Sequence, residues 1–463
     1  MALALYWPGL VCWFQKDDFV GLNLFRLAQG EKGYLWALFA PIAQGTTRTL
    51  SERIFFMSLS AVFGPEPLPY RCVAFLTFIA SLILLGALCS KLTGSHVAGF
   101  WAMILWTANS ALGYVLSWTA IYYQILCAFF FLAGIWLLVR YAETGKTRFY
   151  VAQWATFLLG FGVLEVNVVY PALAAMYALC CVRRIFWKTL PMFAVSALFA
   201  WWHTRVAPLP SSGPYKLYWD ASIFSTLWTY WKWALGPSRL IFLRFYPSPF
   251  RSLLTVALMA GLLGFLAWKL YRRQWVAAFF PAWFLIVFGP FLPLRDHIDA
   301  SYLTVPLIGL AMWGGWGVAS GWKAGRAGKI AAAALLAVYL CVSIPLARVV
   351  VDSFYDRSVN VRNLVLGVVD QVDDRTDKLV LLTGVDQEMF VSAIWHHPFE
   401  VFDLNNVWLS PGGSTLDMPA EYRAQFYANP EAVTEALKNG RALVLDVTGG
   451  QVRDITREFA RTW

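Results

Sequence analysis

Charged residues are scarce in this 463-residue sequence, at 14% of the chain, whereas hydrophobic residues make up 59% of it. A soluble protein carries roughly 25% charged residues. A single soluble core cannot bury so much apolar surface, so most of it must face lipid. The shortage of charge therefore excludes an ordinary soluble globular protein.

Motifs for disulfide frameworks and for thiolate metal sites are also missing. No CxxC pair and no Cys/His ligand spacing occurs, and no cysteine follows Cys341. Apolar stretches contain all seven cysteines, which are Cys12, Cys72, Cys89, Cys127, Cys180, Cys181 and Cys341. We interpret all seven as small core residues.

Long apolar runs, in contrast, recur regularly along the chain. Runs of about 20 apolar residues are long enough to cross a bilayer as helices. We predict such spans at Leu68–Leu92, Val97–Val115, Thr119–Val139, Phe149–Val163, Val166–Val182, Phe186–His203, Leu253–Tyr271, Trp275–Leu294, Tyr302–Trp322 and Ile330–Ala347. The segment before Lys16 is short but could add one helix, which gives about eleven.

Basic residues outnumber acidic ones, 37 to 27, but they do not form the contiguous basic face that binds nucleic acid. They cluster instead in alternate loops, at Lys91, at Arg140, Lys146 and Arg148, at Arg183, Arg184 and Lys188, at Lys269, Arg272 and Arg273, and at Lys323, Arg326 and Lys329. The positive-inside rule places these loops in the cytoplasm. We therefore predict a multi-pass cell-membrane protein with a cytoplasmic N-terminus, no cleavable signal peptide and an extracytoplasmic C-terminal domain.

The segments predicted outside the membrane are long and amphipathic. They include residues 16–67, residues 204–251 and the stretch LPLRDHIDASY around Arg295. The segments DDFVGLNLFRLAQG, TLSERIFFMSLSAVFG and ASIFSTLWTYWKWALG have apolar residues at helical spacing and a polar face. Such helices lie flat in the membrane interface, so we predict interfacial helices in the outer loops.

The C-terminal region changes character after Arg348, because charge rises and strand-like runs appear. KLVLLTG and RALVLDVTG are typical of strands, whereas DQEMFVSAIW and NPEAVTEALKNG are typical of helices, the latter with Gly440 as C-cap. TGGQ around Gly449 is typical of a hairpin turn. We predict a transmembrane domain over 1–350 and a small extracytoplasmic α/β domain over 351–463. This small domain has no nucleotide loop, and we interpret it as a lid or docking module.

The ordered set of outer segments resembles the type C glycosyltransferases, and among them the polyprenyl-phosphate-sugar users related to protein O-mannosyltransferases. The resemblance rests on the acid pair in WFQKDDFVGL and on LPYRCVAFLTFIASLILLGALCSKLTG, YVLSWTAIYYQILCAFFFLAGIWLLVRY, FGVLEVNVVYPALAAMYAL and LPLRDHIDASYLTVPLIGLAMW. It covers roughly residues 12–347. Where related mannosyltransferases carry Gly-Arg and an acid, this chain has Tyr122, Tyr123 and Gln124.

The resemblance implies an inverting membrane enzyme that moves a hexose or pentose from a polyprenyl-phosphate donor to a protein, glycan or lipid acceptor on the outer face. Its catalytic residues would be Asp17, Asp18 and Glu165. The first acid of the pair is the usual base in this family, so Asp17 would deprotonate the acceptor hydroxyl. Asp18 would cap the following helix, orient Asp17 or hold a divalent cation. The sequence identifies no cofactor, and the use of a metal ion stays open.

The leaving phosphate requires cations, because negative charge develops on it as the glycosidic bond breaks. Arginine binds phosphate through a planar, bidentate fork, so we predict Arg295 as the main phosphate ligand. Further candidates for binding the substrate are His297, Arg244, Lys232 and Tyr302.

Each assignment has a structural alternative. The acid pair could be a solvated loop or a helix cap, Glu165 could end a span, and Arg295 could anchor the interface. A flippase-like transporter for a lipid-linked molecule and a non-catalytic scaffold are the alternative functions. A transporter should show internal repeats and polar residues at mid-membrane. We find no convincing repeat in this sequence.

Overall fold

A computed structural model describes residues 1–30, 33–41, 47–208, 210–237, 248–372, 377–412 and 416–463. The described chain forms two compact units. The first comprises Met1–Leu10, Leu38–Phe55 and Arg71–Val351, and the second comprises Val11–Ala37, Phe56–Tyr70 and Asp352–Trp463. The N-terminal region is thus shared between the two units.

Helices dominate the secondary structure. In chain order the α-helices are α1 (Ala2–Leu10), α2 (Asp18–Gln29), α3 (Gly33–Phe39), α4 (Phe55–Phe63), α5 (Pro67–Thr93), α6 (His96–Ala108), α7 (Ala111–Ser117), α8 (Tyr122–Thr144), α9 (Thr147–Gly160), α10 (Tyr170–Cys181), α11 (Phe186–Val206), α12 (Ser222–Leu235), α13 (Ser248–Tyr271), α14 (Val276–Phe288), α15 (Leu307–Lys323), α16 (Gly325–Val372), α17 (Gln387–Ser392), α18 (Ala420–Phe426), α19 (Pro430–Lys438) and α20 (Thr456–Thr462). A π-helix spans Thr49–Ile54, and the 3₁₀ turns are Thr119–Ile121, Glu165–Val169, Arg183–Ile185, Gly289–Phe291, Ala300–Leu303, Ile394–His396, Pro398–Phe402 and Thr448–Gly450.

The first unit contains most of the apolar helices. Five stretches are long and apolar enough to cross a membrane, namely Pro67–Thr93, Thr119–Thr144, Arg183–Val206, Pro249–Tyr271 and Gly325–Val372. Shorter apolar helices are His96–Ala108, Glu165–Cys181 and Val276–Phe291. Each of the ten predicted internal spans coincides with at least one helix, while the total of about eleven crossings stays a prediction.

The predicted span Val97–Val115 is wrong as one continuous helix. The helix stops at Ala108, and Asn109 adopts an extended conformation with ψ of 132°. The Asn109 side-chain oxygen accepts a hydrogen bond from the Ala111 N–H at 3.0 Å, at the start of α7. Asn109 therefore breaks an otherwise apolar run, because its side chain replaces a helical backbone bond.

The second unit contains a four-stranded sheet with the order β2-β1-β3-β4. Its strands are β1 (Leu379–Thr383), β2 (Val407–Leu409), β3 (Ala442–Asp446) and β4 (Arg453–Asp454). β1 pairs in parallel with β2 and with β3, while β3 and β4 are antiparallel. The core against the sheet includes Leu381, Val433 and Val444. This arrangement confirms the predicted C-terminal strands.

The segment with the adjacent acids, Asp17 and Asp18, belongs to the same unit as this sheet. The Lys16 N–H donates to the Ser392 carbonyl at 2.6 Å, and the Trp13 N–H donates to the Ser358 hydroxyl at 3.1 Å. The Gln15 amide donates to the Phe354 carbonyl at 3.2 Å. Residues distant in sequence thus hold the backbone on the N-terminal side of the acid pair.

The prediction that every cysteine is a core residue is wrong for Cys72 and Cys341, which are exposed. Both lie on long apolar helices, α5 and α16. A small apolar side chain is as compatible with lipid as with a protein core, so sequence hydrophobicity does not separate the two environments.

Candidate functional site

An arginine–glutamate pair lies outside the long membrane helices of the first unit. The Arg48 guanidinium donates to both carboxylate oxygens of Glu165, with its Nε 3.1 Å from each and its Nη2 3.0 Å from Oε2. The Arg48 side chain is 20% exposed and the Glu165 side chain is 24% exposed, so the pair is only partly accessible to solvent. The bidentate geometry fixes the plane of the guanidinium.

Backbone contacts bring the two residues together. Arg48 directly precedes the π-helix Thr49–Ile54, and Glu165 begins a 3₁₀ turn after α9. The Leu50 N–H donates to the Gly162 carbonyl at 2.7 Å, and the Ser51 hydroxyl donates to the Val163 carbonyl at 2.6 Å. These bonds join the two segments next to the charged residues. The backbone therefore holds Arg48 and Glu165 close together.

The charge state of Glu165 follows from this contact. Burial raises the pKa of the Glu165 carboxyl, but the Arg48 charge and its hydrogen bonds lower it, and the pKa ends below its ordinary value. Glu165 is therefore a weak base whose oxygens are already occupied by Arg48. Its geometry suits the orientation of Arg48 better than proton abstraction.

Tyr123 connects this pair to a second group of residues. The Arg48 guanidinium lies over the Tyr123 ring, 4.2 Å from its centroid. Tyr123 also interacts electrostatically with Tyr302, which stacks on Phe291 with ring centroids 4.3 Å apart. Arg48, Tyr123, Glu165 and Tyr302 therefore form one polar, aromatic group, which we call the Arg48 cluster.

His297 and Arg295 lie on the loop before Tyr302. The His297 ring is 5.8 Å from Tyr302 and 4.3 Å from Tyr215, and burial lowers the pKa of His297. Of the predicted substrate-binding residues, Tyr302 thus belongs to the Arg48 cluster, and His297 lies next to it.

Arg295 has close acidic neighbours. Its guanidinium lies 3.4 Å from Asp220 and 3.5 Å from Asp296, and 3.5 Å from the centroid of the Tyr218 ring. Two carboxylates already compensate its charge, and its side chain is 40% exposed. The role of Arg295 in phosphate binding stays a prediction.

The acid pair, Asp17 and Asp18, belongs to the second unit. Asp17 occupies the N-cap position of α2, and its carbonyl accepts the Gly21 N–H at 3.2 Å. Asp18 is fully buried, and its carboxylate accepts the Gln15 N–H at 3.0 Å. The two adjacent acids thus have different environments, as their adjacency on the backbone predicts. The prediction that Asp18 caps α2 is wrong, because Asp17 occupies the N-cap position and Asp18 is the first residue of the helix.

The remaining predicted substrate-binding residues are Lys232 and Arg244, and neither has a described contact with the Arg48 cluster. The Lys232 ammonium on α12 lies 5.8 Å from the centroid of the Trp228 ring. Arg244 lies outside the described residues. Within the described part of the chain, no group of three or more His, Cys, Asp or Glu side chains could hold a metal ion.

Sequence reasoning missed Arg48 as a site residue. Its only local signal is a charge just before an amphipathic segment, and its partner Glu165 is 117 positions away. The sequence identifies Tyr123 only as a departure from the related mannosyltransferases. The sequence pattern does not indicate that Arg48, Glu165 and Tyr123 are in contact.

Comparisons with known proteins give no sequence match: no protein-family model matches, and no curated protein is significantly similar. Structural similarity is found with ArnT from Cupriavidus metallidurans bound to undecaprenyl phosphate. The identity is 12%, the TM-score is 0.53, and the match covers 96% of this chain and 91% of that one. The apo state of ArnT matches with the same identity and coverage and a TM-score of 0.49. The chain therefore has an ArnT-like fold.

Proposed function

We propose that this protein is a membrane glycosyltransferase that takes a sugar from a polyprenyl-phosphate-linked donor and transfers it to an acceptor on the outer face of the membrane. The observation that carries this proposal is the fold match along 96% of the chain to a protein that holds undecaprenyl phosphate. The Arg48 cluster supports it, because a phosphate leaving group requires a fixed cation near the membrane surface.

Arg48 is the cation that this geometry favours as a phosphate ligand. Its Nε and Nη2 groups bind Glu165, whereas Nη1 makes no hydrogen bond among the described residues. The Arg48 side chain is 20% exposed, and its guanidinium lies over the Tyr123 ring. Glu165 and Tyr123 are therefore positioning residues that present Nη1 to an oxygen of the donor phosphate.

The reaction is a single displacement. The acceptor hydroxyl oxygen forms a bond to the anomeric carbon, and the bond from that carbon to the phosphate oxygen breaks with its electron pair. The acceptor proton moves to the Asp17 carboxylate, which is the base implied by the family resemblance. The products are an inverted glycoside and polyprenyl phosphate.

The test is sugar transfer from a radiolabelled polyprenyl-phosphate donor by the purified chain in liposomes. Asp17→Asn should lower the rate by about 10²–10⁴-fold, because it removes the general base. It should leave the melting temperature and donor binding close to those of the wild type. Asp18→Asn should act more mildly and partly through stability, because its buried carboxylate bonds the Gln15 N–H.

Two outcomes would contradict this proposal. Full transfer by Asp17→Asn would remove Asp17 as the base. Movement of the intact lipid-linked donor across the bilayer, without transfer by the wild-type chain, would favour the transporter function instead.

A further inference from the structure

An apolar groove runs between helices of the first unit, away from the Arg48 cluster. Its volume is about 310 Å³, and residues of α6, α12, α13, α15 and α16 line it. Its lining on α15 runs from Leu307 to Gly321. These residues are 14 positions apart, so the groove is about 21 Å long at the helical rise. That length suits an extended hydrocarbon chain.

Glycines keep the groove open. Gly261, Gly314, Gly317, Gly321 and Gly328 all line it. A Cβ added at Gly317 would meet the Phe265 ring at 3.7 Å, which is ordinary van der Waals contact. A longer side chain at this position would therefore extend into the groove. Gly264 on α13 has open space around it and does not line the groove, so it offers a matched control.

One end of the groove adjoins a buried lysine. The Lys269 ammonium lies 4.1 Å from the centroid of the Trp316 ring, 4.6 Å from Trp268 and 5.4 Å from Phe265. Lys269 is only 7% exposed. Because Phe265 and Trp268 also line the groove, the same rings form the groove wall and the cage around the ammonium.

Two more cations accompany Lys269. Arg272 and Lys323 are exposed and interact electrostatically with it. None of the three forms an ion pair within the described parts of the chain. Three like charges near one another repel, and an anion placed among them relieves that repulsion. A site for an anionic group is therefore continuous with a site for a hydrocarbon chain.

We infer that this groove binds an anionic glycerophospholipid, with an acyl chain between α13, α15 and α16 and the headgroup phosphate at Lys269, Arg272 and Lys323. The three basic residues lie at or just beyond the C-terminal ends of α13 and α15, beside loops that the positive-inside rule places in the cytoplasm. The ligand would therefore come from the cytoplasmic leaflet, where anionic lipids attract basic side chains. This inference does not depend on the proposed glycosyltransferase activity.

Native mass spectrometry of the full, delipidated chain tests the headgroup. The probes are phosphatidylglycerol and phosphatidylethanolamine with identical acyl chains. The wild type should retain phosphatidylglycerol preferentially. The double variant Arg272→Gln/Lys323→Gln should bind it about 25-fold more weakly, since each basic residue near headgroups contributes about fivefold. The control Lys146→Gln/Arg148→Gln removes the same charge from another exposed basic turn and should bind normally.

The groove is tested separately. Gly317→Leu should reduce retention of both lipids, whereas Gly264→Leu should bind as the wild type does. If Gly317→Leu does not fold, Ser320→Leu, at another lining position, replaces it.

Equal retention of the two lipids by the wild type would overturn the inference, as would normal binding by the Arg272/Lys323 variant or by a folded groove variant. Displacement of phosphatidylglycerol by an equimolar polyprenyl monophosphate would assign the groove to the polyprenyl chain instead. A protein that binds phosphatidylglycerol as expected but transfers no sugar would uphold this inference while contradicting the proposed function.

Discussion

The charge of Arg48 is compensated by Glu165, yet part of its guanidinium makes no hydrogen bond among the described residues. Two of its nitrogens bind Glu165, and its ring contact with Tyr123 leaves one edge of the guanidinium for a ligand. We expect Arg48→Ala to reduce kcat/KM for the donor by about 10–150-fold, because a hydrogen bond between charged groups contributes about 1.5–3 kcal/mol. Arg48→Lys should retain part of the activity, since it keeps the charge but loses the fork.

The same assay compares Arg48 with Arg295. Arg295→Ala should reduce transfer less than Arg48→Ala, because Asp220 and Asp296 already compensate its charge. Glu165→Gln should raise the KM for the donor more than it lowers kcat, as expected of a positioning residue. A greater loss in Arg295→Ala than in Arg48→Ala would restore Arg295 as the phosphate ligand.

His396 makes the second unit sensitive to acid. Burial, His397 and Lys16 lower its pKa from 6.5 to about 4. Between these two values the unfolded chain binds a proton that the folded chain does not, so stability is present above pH 6.5 and falls as the pH decreases toward 4. From pH 7 to pH 5 we expect a loss of about 1–2 kcal/mol, measured as a decrease in melting temperature.

The variant His396→Gln provides the control for this pH effect. Its melting temperature should depend less steeply on pH over the same interval. An unchanged slope would show that His396 titrates normally in the folded protein.

At the scale of elements, local composition was sufficient for the long apolar helices and for β1 and β3, but not for the short strands β2 and β4 or for the interruptions of helices. Apolar runs predicted α5, α8 and α13, and the runs around Leu381 and Val444 predicted β1 and β3. The break at Asn109 was missed, because one polar residue hardly changes the mean hydropathy of a window. Its effect comes from a side-chain hydrogen bond to the backbone, which composition does not describe.

The contacts that define the site were beyond sequence analysis for a different reason. Arg48 and Glu165 belong to segments without a shared periodicity, and they meet only through the bonds from Leu50 and Ser51 to the loop after α9. The resemblance to a known family could point to single acids such as Asp17 and Glu165. The resemblance could not identify Arg48 as the partner of Glu165, and it could not give the orientation of the Glu165 carboxylate.

The long helix α16 holds the acid-pair segment by a bond that can be tested. Ser358 on this helix is fully buried and accepts the Trp13 N–H at 3.1 Å. Ser358→Ala leaves that buried N–H without a partner, so we expect a loss of about 1–3 kcal/mol of stability. The measurement is the melting temperature, with exposed Asn363→Ala on the same helix as control. Equal melting temperatures for both variants would contradict the role of this bond.

At the scale of the whole molecule, the distribution of basic loops predicts the orientation in the membrane. In a chain without native cysteines, a probe at Asn405→Cys beside Asn406 should be labelled from outside intact cells. A probe at Gln274→Cys near Arg272 should be labelled only after permeabilisation. Replacement of the native cysteines is necessary because Cys72 and Cys341 are exposed. The reverse labelling pattern would overturn the outer-face site.

The backbone bond from Lys16 to Ser392 also has a consequence for biosynthesis. The two residues are 376 positions apart, and a ribosome adds roughly 5–20 residues per second, so Ser392 is made roughly 20–75 s after Lys16. Through this interval the segment with Asp17 and Asp18 lacks its bond to Ser392, and for most of it the segment also lacks Phe354 and Ser358. The nascent chain must complete every predicted membrane span before its first acids take their final place, so we expect a protein terminated before Ser392 to be inserted but inactive.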